Sequence, residues 1–116
     1  MINFIIEEEK LKEVIDNYMM NYNYTYDIKI YDSNKENNYF NIYILNYDSK
    51  NILDINKIKR IRYELDDWSS IIILLIKNDK DKYSLFDKRF MILDIISTKK
   101  DFKERLKEDI LISIKN

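Results

Sequence analysis

The residues best suited to bind an ion are three consecutive glutamates, Glu7 to Glu9, which directly follow an apolar segment at residues 2–6. Carboxylates at the end of a strand can bind Mg²⁺, which takes oxygen ligands in an octahedral shell. The same residues suit the first turn of a helix, where negative charge interacts favourably with the helix dipole. The helix-terminus interpretation is the simpler one; the other predicts a metal site at Glu7 and Glu8.

A second polar position, Asn46, ends the apolar segment Ile42-Tyr43-Ile44-Leu45. Its amide nitrogen is not a useful nucleophile toward phosphorus. The chain has no histidine, cysteine or glycine. It therefore lacks the usual general base, thiolate chemistry and the glycine-rich loop that brings backbone close to a phosphate. We expect a protein that is not an enzyme.

The elements that must position these residues alternate between two hydrophobic periods. Strands are predicted at residues 2–6, 26–31, 40–45, 71–76 and 91–96. Helices are predicted over residues 9–21, from an N-cap at Asp54 to Leu65, over residues 80–88, and from Phe102 to Ile114. Strands alternating with helices favour an α/β fold with a parallel, doubly wound sheet.

The composition limits the class of protein. A chain of 116 residues fits a single domain, residues 1–116. The net charge of −1 provides no field that would favour nucleic acid or an anionic membrane. The longest apolar run, residues 71–76, is too short to span a bilayer, and the glutamates after residue 6 argue against a signal peptide. We expect a cytoplasmic protein without membrane contact.

Several segments, taken in order, resemble the receiver domains of response regulators, in particular those found ahead of LytTR-type DNA-binding domains. They are Ile42-Tyr43-Ile44-Leu45-Asn46, Ile61-Arg62 with Asp67-Trp68-Ser69-Ser70-Ile71-Ile72-Ile73, the stretch 85–97, and residues 102–110. The resemblance implies a flavodoxin-like five-stranded sheet in the order 2-1-3-4-5, with its site at the carboxyl ends of the strands. Only ten residues separate Tyr31 from Ile42. The second helix of the family is therefore expected to be shortened or missing.

The resemblance also implies a degenerate phosphorylation site. Glu7 and Glu8 match the acidic pair that holds Mg²⁺ in the family, and Asn46 replaces the phosphorylated aspartate. The family's hydroxyl position falls on Leu75 or Ile76, and its lysine position on Thr98, with Lys99 available one residue later. Lys99 is equally explained as part of a charged entry to the last helix. No cofactor is expected, and Mg²⁺ would be vestigial at most.

One face of the family, made by helix 4, strand 5 and helix 5, commonly pairs with partners or with a second copy. Here it would include Lys82, Asp87, Lys88, Arg89, Lys103 and Arg105. A mixed-charge face suits isologous pairing, and it is equally typical of a solvated surface.

The expected function is that of an atypical, phosphorylation-independent receiver in a two-component or transcription-regulation setting. It would act by protein–protein interaction or homodimerisation, with an attached or partner DNA-binding domain and no nucleic-acid contact of its own. The alternative is a small-ligand-binding flavodoxin-like module.

Overall fold

The computed structural model of the protein describes residues 1–33, 40–85 and 90–115. The strands are β1 (Ile2–Ile6), β2 (Tyr26–Ile30), β3 (Phe40–Asn46), β4 (Ile71–Ile76) and β5 (Asp94–Ser97). The α-helices are α1 (Lys10–Met19), α2 (Ile52–Lys59) and α3 (Lys103–Lys115). A π-helical segment, Arg60–Glu64, continues α2, and a 3₁₀ segment spans Asp79–Leu85.

The five strands form one parallel sheet in the order β2-β1-β3-β4-β5. This confirms the predicted α/β class and strand order, which are consistent with a flavodoxin-like fold. In the pairing register, Ile6 lies beside Ile44 and Asn46 lies beside Leu75. Because all strands run the same way, the polar residues that follow them collect along one edge of the sheet.

Both faces of the sheet are covered by helices, since alternate strand residues point to opposite sides. Phe4, Ile42 and Ile73 pack with α1 and α3 in one core. Ile5, Tyr43 and Leu74 belong to the second core, which includes residues of α2. The sheet is therefore doubly wound, as the alternating strand and helix patterns predicted.

Two elements, α2 and β5, begin at residues other than the predicted ones, and the structure shows why. Helix α2 begins earlier than expected because Asn51 is the N-cap, and its side chain accepts a hydrogen bond from the backbone N–H of Leu53. Strand β5 begins at Asp94 rather than at residue 91. Met91 has a φ of 49°, a left-handed conformation that cannot continue a strand.

The prediction of a shortened or missing helix after β2 falls largely on residues 34–39, which lie outside the described residues. Residues 31–33 are not helical. Within the described ranges, no helix is long and apolar enough to cross a membrane.

Candidate functional site

A cavity of about 700 Å³ lies at the carboxyl edge of the sheet. Its walls come from the ends of β3 and β4, from the segments that follow β1, β3, β4 and β5, and from the first turns of α1 and α2. The lining residues are Glu8, Lys10, Asn46, Tyr47, Asp48, Lys50, Asp54, Leu75, Lys77, Asn78, Asp81, Thr98, Lys99 and Phe102. This is the edge at which ligands bind in open parallel sheets.

Five of the sequence-predicted site residues line this one cavity: Glu8, Asn46, Leu75, Thr98 and Lys99. Ile76 does not; it is buried in the core on the α2 side of the sheet. Of the two candidates for the family's hydroxyl position, only Leu75 lines the cavity.

The residues of the neighbouring strands that line the cavity beside Asn46 offer few free hydrogen-bonding groups. Leu75 is directly beside Asn46 in the register, and its side chain carries no hydrogen-bonding group. The Thr98 hydroxyl donates to the backbone oxygen of Ile76 at 3.2 Å. Its single proton is therefore committed to the backbone. Lys99 is exposed, with its Nζ 4.0 Å from an Asp79 oxygen.

The two predicted metal ligands, Glu7 and Glu8, have different surroundings. Glu8 lines the cavity and forms an ion pair with Lys10 at 3.5 Å. Glu7 lines a second cleft of about 640 Å³ on the side of α2. Its Oε1 accepts a hydrogen bond from the backbone N–H of Asn46 at 2.7 Å.

Glu7 also binds a cation that belongs to the chain. The Nζ of Lys57 lies 2.6 Å from Glu7 Oε1, 3.0 Å from the backbone oxygen of Asn46 and 3.1 Å from Asp54 Oδ1. The other oxygen of Asp54 accepts from the backbone N–H of Asp48 at 2.9 Å. We call Glu7, Asn46, Asp54 and Lys57 the lysine cluster. It joins the ends of β1 and β3 to the first turns of α2.

These residues do not fit a divalent ion at Glu7, because its carboxylate is already paired with a buried ammonium and accepts a backbone N–H. Among the described residues, no group of three or more acidic, histidine or cysteine side chains is arranged to hold a metal. The rim of the cavity carries four lysines and four acids, so its formal charge is balanced. They are Lys10, Lys50, Lys77, Lys99, Glu8, Asp48, Asp54 and Asp81.

The predicted interaction face is described only in part. Asp87, Lys88 and Arg89 lie outside the described residues, and Lys82 is half-buried in the 3₁₀ segment. Lys103 and Arg105 are exposed in the first turns of α3. Arg105 is held within the chain, because its Nε and Nη2 donate to the two carboxylate oxygens of Asp94 at 2.8 and 2.5 Å.

A buried acid lies behind this ion pair. Asp109 on α3 is buried, and one of its oxygens has no partner. Burial and the hydrogen bond with Asp94 raise the pKa of Asp109 to about 7. Burial opposes ionisation of Asp94 too, but hydrogen bonds from Asp109 and Arg105 outweigh it and lower the pKa of Asp94. Asp109 therefore holds a proton at pH values below about 7.

Comparison with protein-family models finds no match, and comparison with curated proteins finds no significant similarity. The function is therefore argued from the geometry of the site.

Sequence analysis missed Lys57, which is the best-connected residue at this edge. A lysine in an amphipathic helix is normally a solvated residue, so its type alone gave no signal. The available signal was the spacing of Asp54 and Lys57, which places the two side chains on one helix face. That spacing does not reveal that Glu7 lies opposite them.

Proposed function

We propose that this chain is a receiver-like interaction domain that works without phosphoryl transfer, in signal transduction or transcription regulation. One observation carries the proposal. Asn46, Leu75 and Thr98, the positions at which the resemblance expects an acceptor carboxylate, a hydroxyl and a lysine, meet around a single cavity at the carboxyl edge. These three residues lie together, as a phosphorylation site would require, but their side chains lack the groups that phosphoryl transfer needs.

The chemical reason is specific to each position. Asn46 offers no carboxylate for an acyl phosphate. Leu75 offers no hydrogen bond to a phosphoryl oxygen. Thr98 offers no positive charge to balance one. A phosphoryl group would therefore lack a covalent acceptor and two of its stabilising contacts.

Without phosphorylation, no added charge biases the domain between two states. Its activity would depend on which protein it binds and on how much of it is present. The partner would be a protein or a second copy of the chain, engaged through the β5–α3 side that carries Lys103 and Arg105. DNA binding would come from an attached or partner domain, and a cytoplasmic location fits this role.

Intact-mass spectrometry after incubation with acetyl phosphate and Mg²⁺ tests the proposal. We expect no mass increase corresponding to a phosphoryl group, while a receiver with an intact acceptor aspartate, treated in parallel, becomes labelled. Asn46→Asp alone should also remain unlabelled, because Leu75 and Thr98 are unchanged. A stoichiometric adduct on the unmodified protein, at Asp48 or elsewhere, would contradict the proposal.

The cavity itself favours a second candidate, a small-ligand-binding module, because its volume lies in the range of ligand sites. Its balanced charge and the absence of glycine make a phosphate-bearing ligand less suited to it. Thermal unfolding in the presence of nucleotides or flavin distinguishes the two functions. A saturable rise in melting temperature, abolished by Thr98→Arg at the half-buried cavity wall, would favour the ligand-binding module.

A further inference from the structure

We infer that the ammonium group of Lys57 is the resident cation of the acidic site at the ends of β1 and β3, in place of the divalent ion that the resemblance implies. The inference deepens the proposed function, because it gives a physical reason to expect that Glu7 does not bind Mg²⁺. It depends on the contacts of Lys57 and not on the identity of residue 46.

The coordination of Lys57 accounts for all of its protons. An ammonium group has three hydrogen-bond donors. Three oxygens accept them, one each from Glu7, Asp54 and the backbone of Asn46, at 2.6 to 3.1 Å. Two carboxylates and a carbonyl are also the kind of oxygen ligands that Mg²⁺ takes from proteins. The ammonium group of Lys57 is therefore bound by oxygens that could also serve as ligands of a divalent ion.

Burial separates this contact from an ordinary surface ion pair. The Lys57 side chain is only 8% exposed, whereas the Lys10 side chain, paired with Glu8, is 73% exposed. Surface pairs are largely screened by solvent and contribute little. A buried ammonium is retained only when its hydrogen bonds and opposite charges are supplied by the fold. Here they come from three separate elements.

The same arrangement excludes a divalent ion from Glu7. An ion bound to Glu7 would lie next to a buried ammonium, and like charges at such distances repel strongly when little water separates them. Binding would thus require Lys57 to leave its three acceptors. The structure also shows what removal of the ammonium would leave, namely two carboxylates and one carbonyl oxygen facing one position.

Reductive methylation of the unmodified protein tests whether Mg²⁺ displaces Lys57. Labelling of each lysine is quantified by mass spectrometry with and without millimolar Mg²⁺. We expect Lys57 to label much more slowly than the exposed Lys59, and Mg²⁺ to leave its rate unchanged. Faster labelling of Lys57 in Mg²⁺ would overturn the inference. This measurement needs no variant and so does not depend on the folding of one.

A substitution tests whether the lysine is what excludes the ion. Lys57→Met keeps a long side chain and removes the charge; Lys59→Met is the matched control on an exposed position of α2. Mn²⁺ binding is followed by the loss of its free-ion electron paramagnetic resonance signal. We expect Lys57→Met to bind Mn²⁺ at least roughly tenfold more tightly than the unmodified protein, because one like charge has been removed. Lys59→Met should bind no more tightly than the unmodified protein.

The double variant Lys57→Met/Glu7→Gln tests whether the Mn²⁺ gained by Lys57→Met is bound at Glu7. We expect it to bind Mn²⁺ no more tightly than the unmodified protein. Equal Mn²⁺ affinity of the unmodified protein and Lys57→Met would overturn the inference.

These outcomes are separate from the test of the proposed function. Phosphoryl uptake without a change at Lys57 would refute the proposed function alone. Displacement of Lys57 by Mg²⁺ without phosphoryl uptake would refute only this inference.

Discussion

At the residue scale, Asn46 contributes to the site through its backbone rather than its side chain. Its N–H donates to Glu7 and its carbonyl oxygen accepts from Lys57. Residue 46 can therefore change from an acid to an amide without breaking the contacts that hold the strand end. The two backbone contacts are therefore compatible with either side chain at this position.

Asp109 predicts a pH dependence of stability that can be measured directly. Its pKa is raised from 3.8 to about 7 in the folded chain, so the folded state holds this proton where the unfolded state has lost it. The stability that Asp109 contributes is therefore fully present below about pH 4 and is lost as the pH rises through about 7. Asp94, whose pKa is lowered, acts in the opposite direction and only at lower pH.

Asp109→Asn should remove this loss, because the amide is neutral at every pH and close in shape to the protonated acid. Urea unfolding from acidic to slightly alkaline pH should show the unmodified protein losing stability relative to this variant. Glu108→Gln, an exposed neighbour on α3, should follow the unmodified protein. Parallel pH profiles of stability for the unmodified protein and Asp109→Asn would show that Asp109 does not cause the loss.

At the scale of elements, Arg62 joins the π-helical segment to two loops. Its guanidinium donates to the backbone oxygens of Phe90, Asp67 and Met91 at 2.7, 2.9 and 3.0 Å. Its side chain is buried, and burial lowers its pKa, with Asp67 opposing the shift. The contacts to residues 90 and 91 hold the chain just before β5, where Met91 takes its left-handed conformation.

Arg62→Met should therefore destabilise the fold by about 3 kcal/mol, because a buried guanidinium gives up hydrogen bonds to three backbone carbonyl groups in partly buried surroundings. Arg60→Met is the matched control. Arg60 lies two residues earlier. Its guanidinium donates to the backbone oxygen of Ser33 and pairs with Glu64, but these contacts are more exposed, so we expect a smaller loss. Urea unfolding measures both. Equal losses for the two variants would show that the Arg62 contacts are not what holds these loops.

Elements were predictable where the hydrophobic pattern alone determined them. The continuous apolar run of β4 identified a strand buried on both faces, because only an inner parallel strand hides both sides of such a run. The start of α2 was not predictable in the same way. Asn51 and Asp54 both suit an N-cap, and the choice depends on which side chain meets a free backbone N–H. The start of β5 depends on Arg62, which is distant in sequence.

At the scale of the whole molecule, the parallel sheet brings the ends of four strands to one cavity. The strand–helix alternation predicted a parallel sheet, whereas the order of its strands came only from the resemblance. The sequence predicted which residues lie at the candidate site, but it did not predict the contacts between them. Glu7 and Lys57 are 50 residues apart in sequence and meet only when α2 packs near the end of β1.

We propose that the carboxyl edge of the sheet holds its own cation and responds to neither Mg²⁺ nor a phosphoryl group. The most direct test is the backbone amide NMR spectrum of the unmodified protein, recorded before and after addition of Mg²⁺ and then of beryllofluoride, a phosphoryl mimic. We expect no specific shift at Asn46, Leu75 or Thr98 beyond the effect of matched salt. Saturable shifts that converge on these residues, with Mg²⁺ alone or with both additions, would refute the proposal.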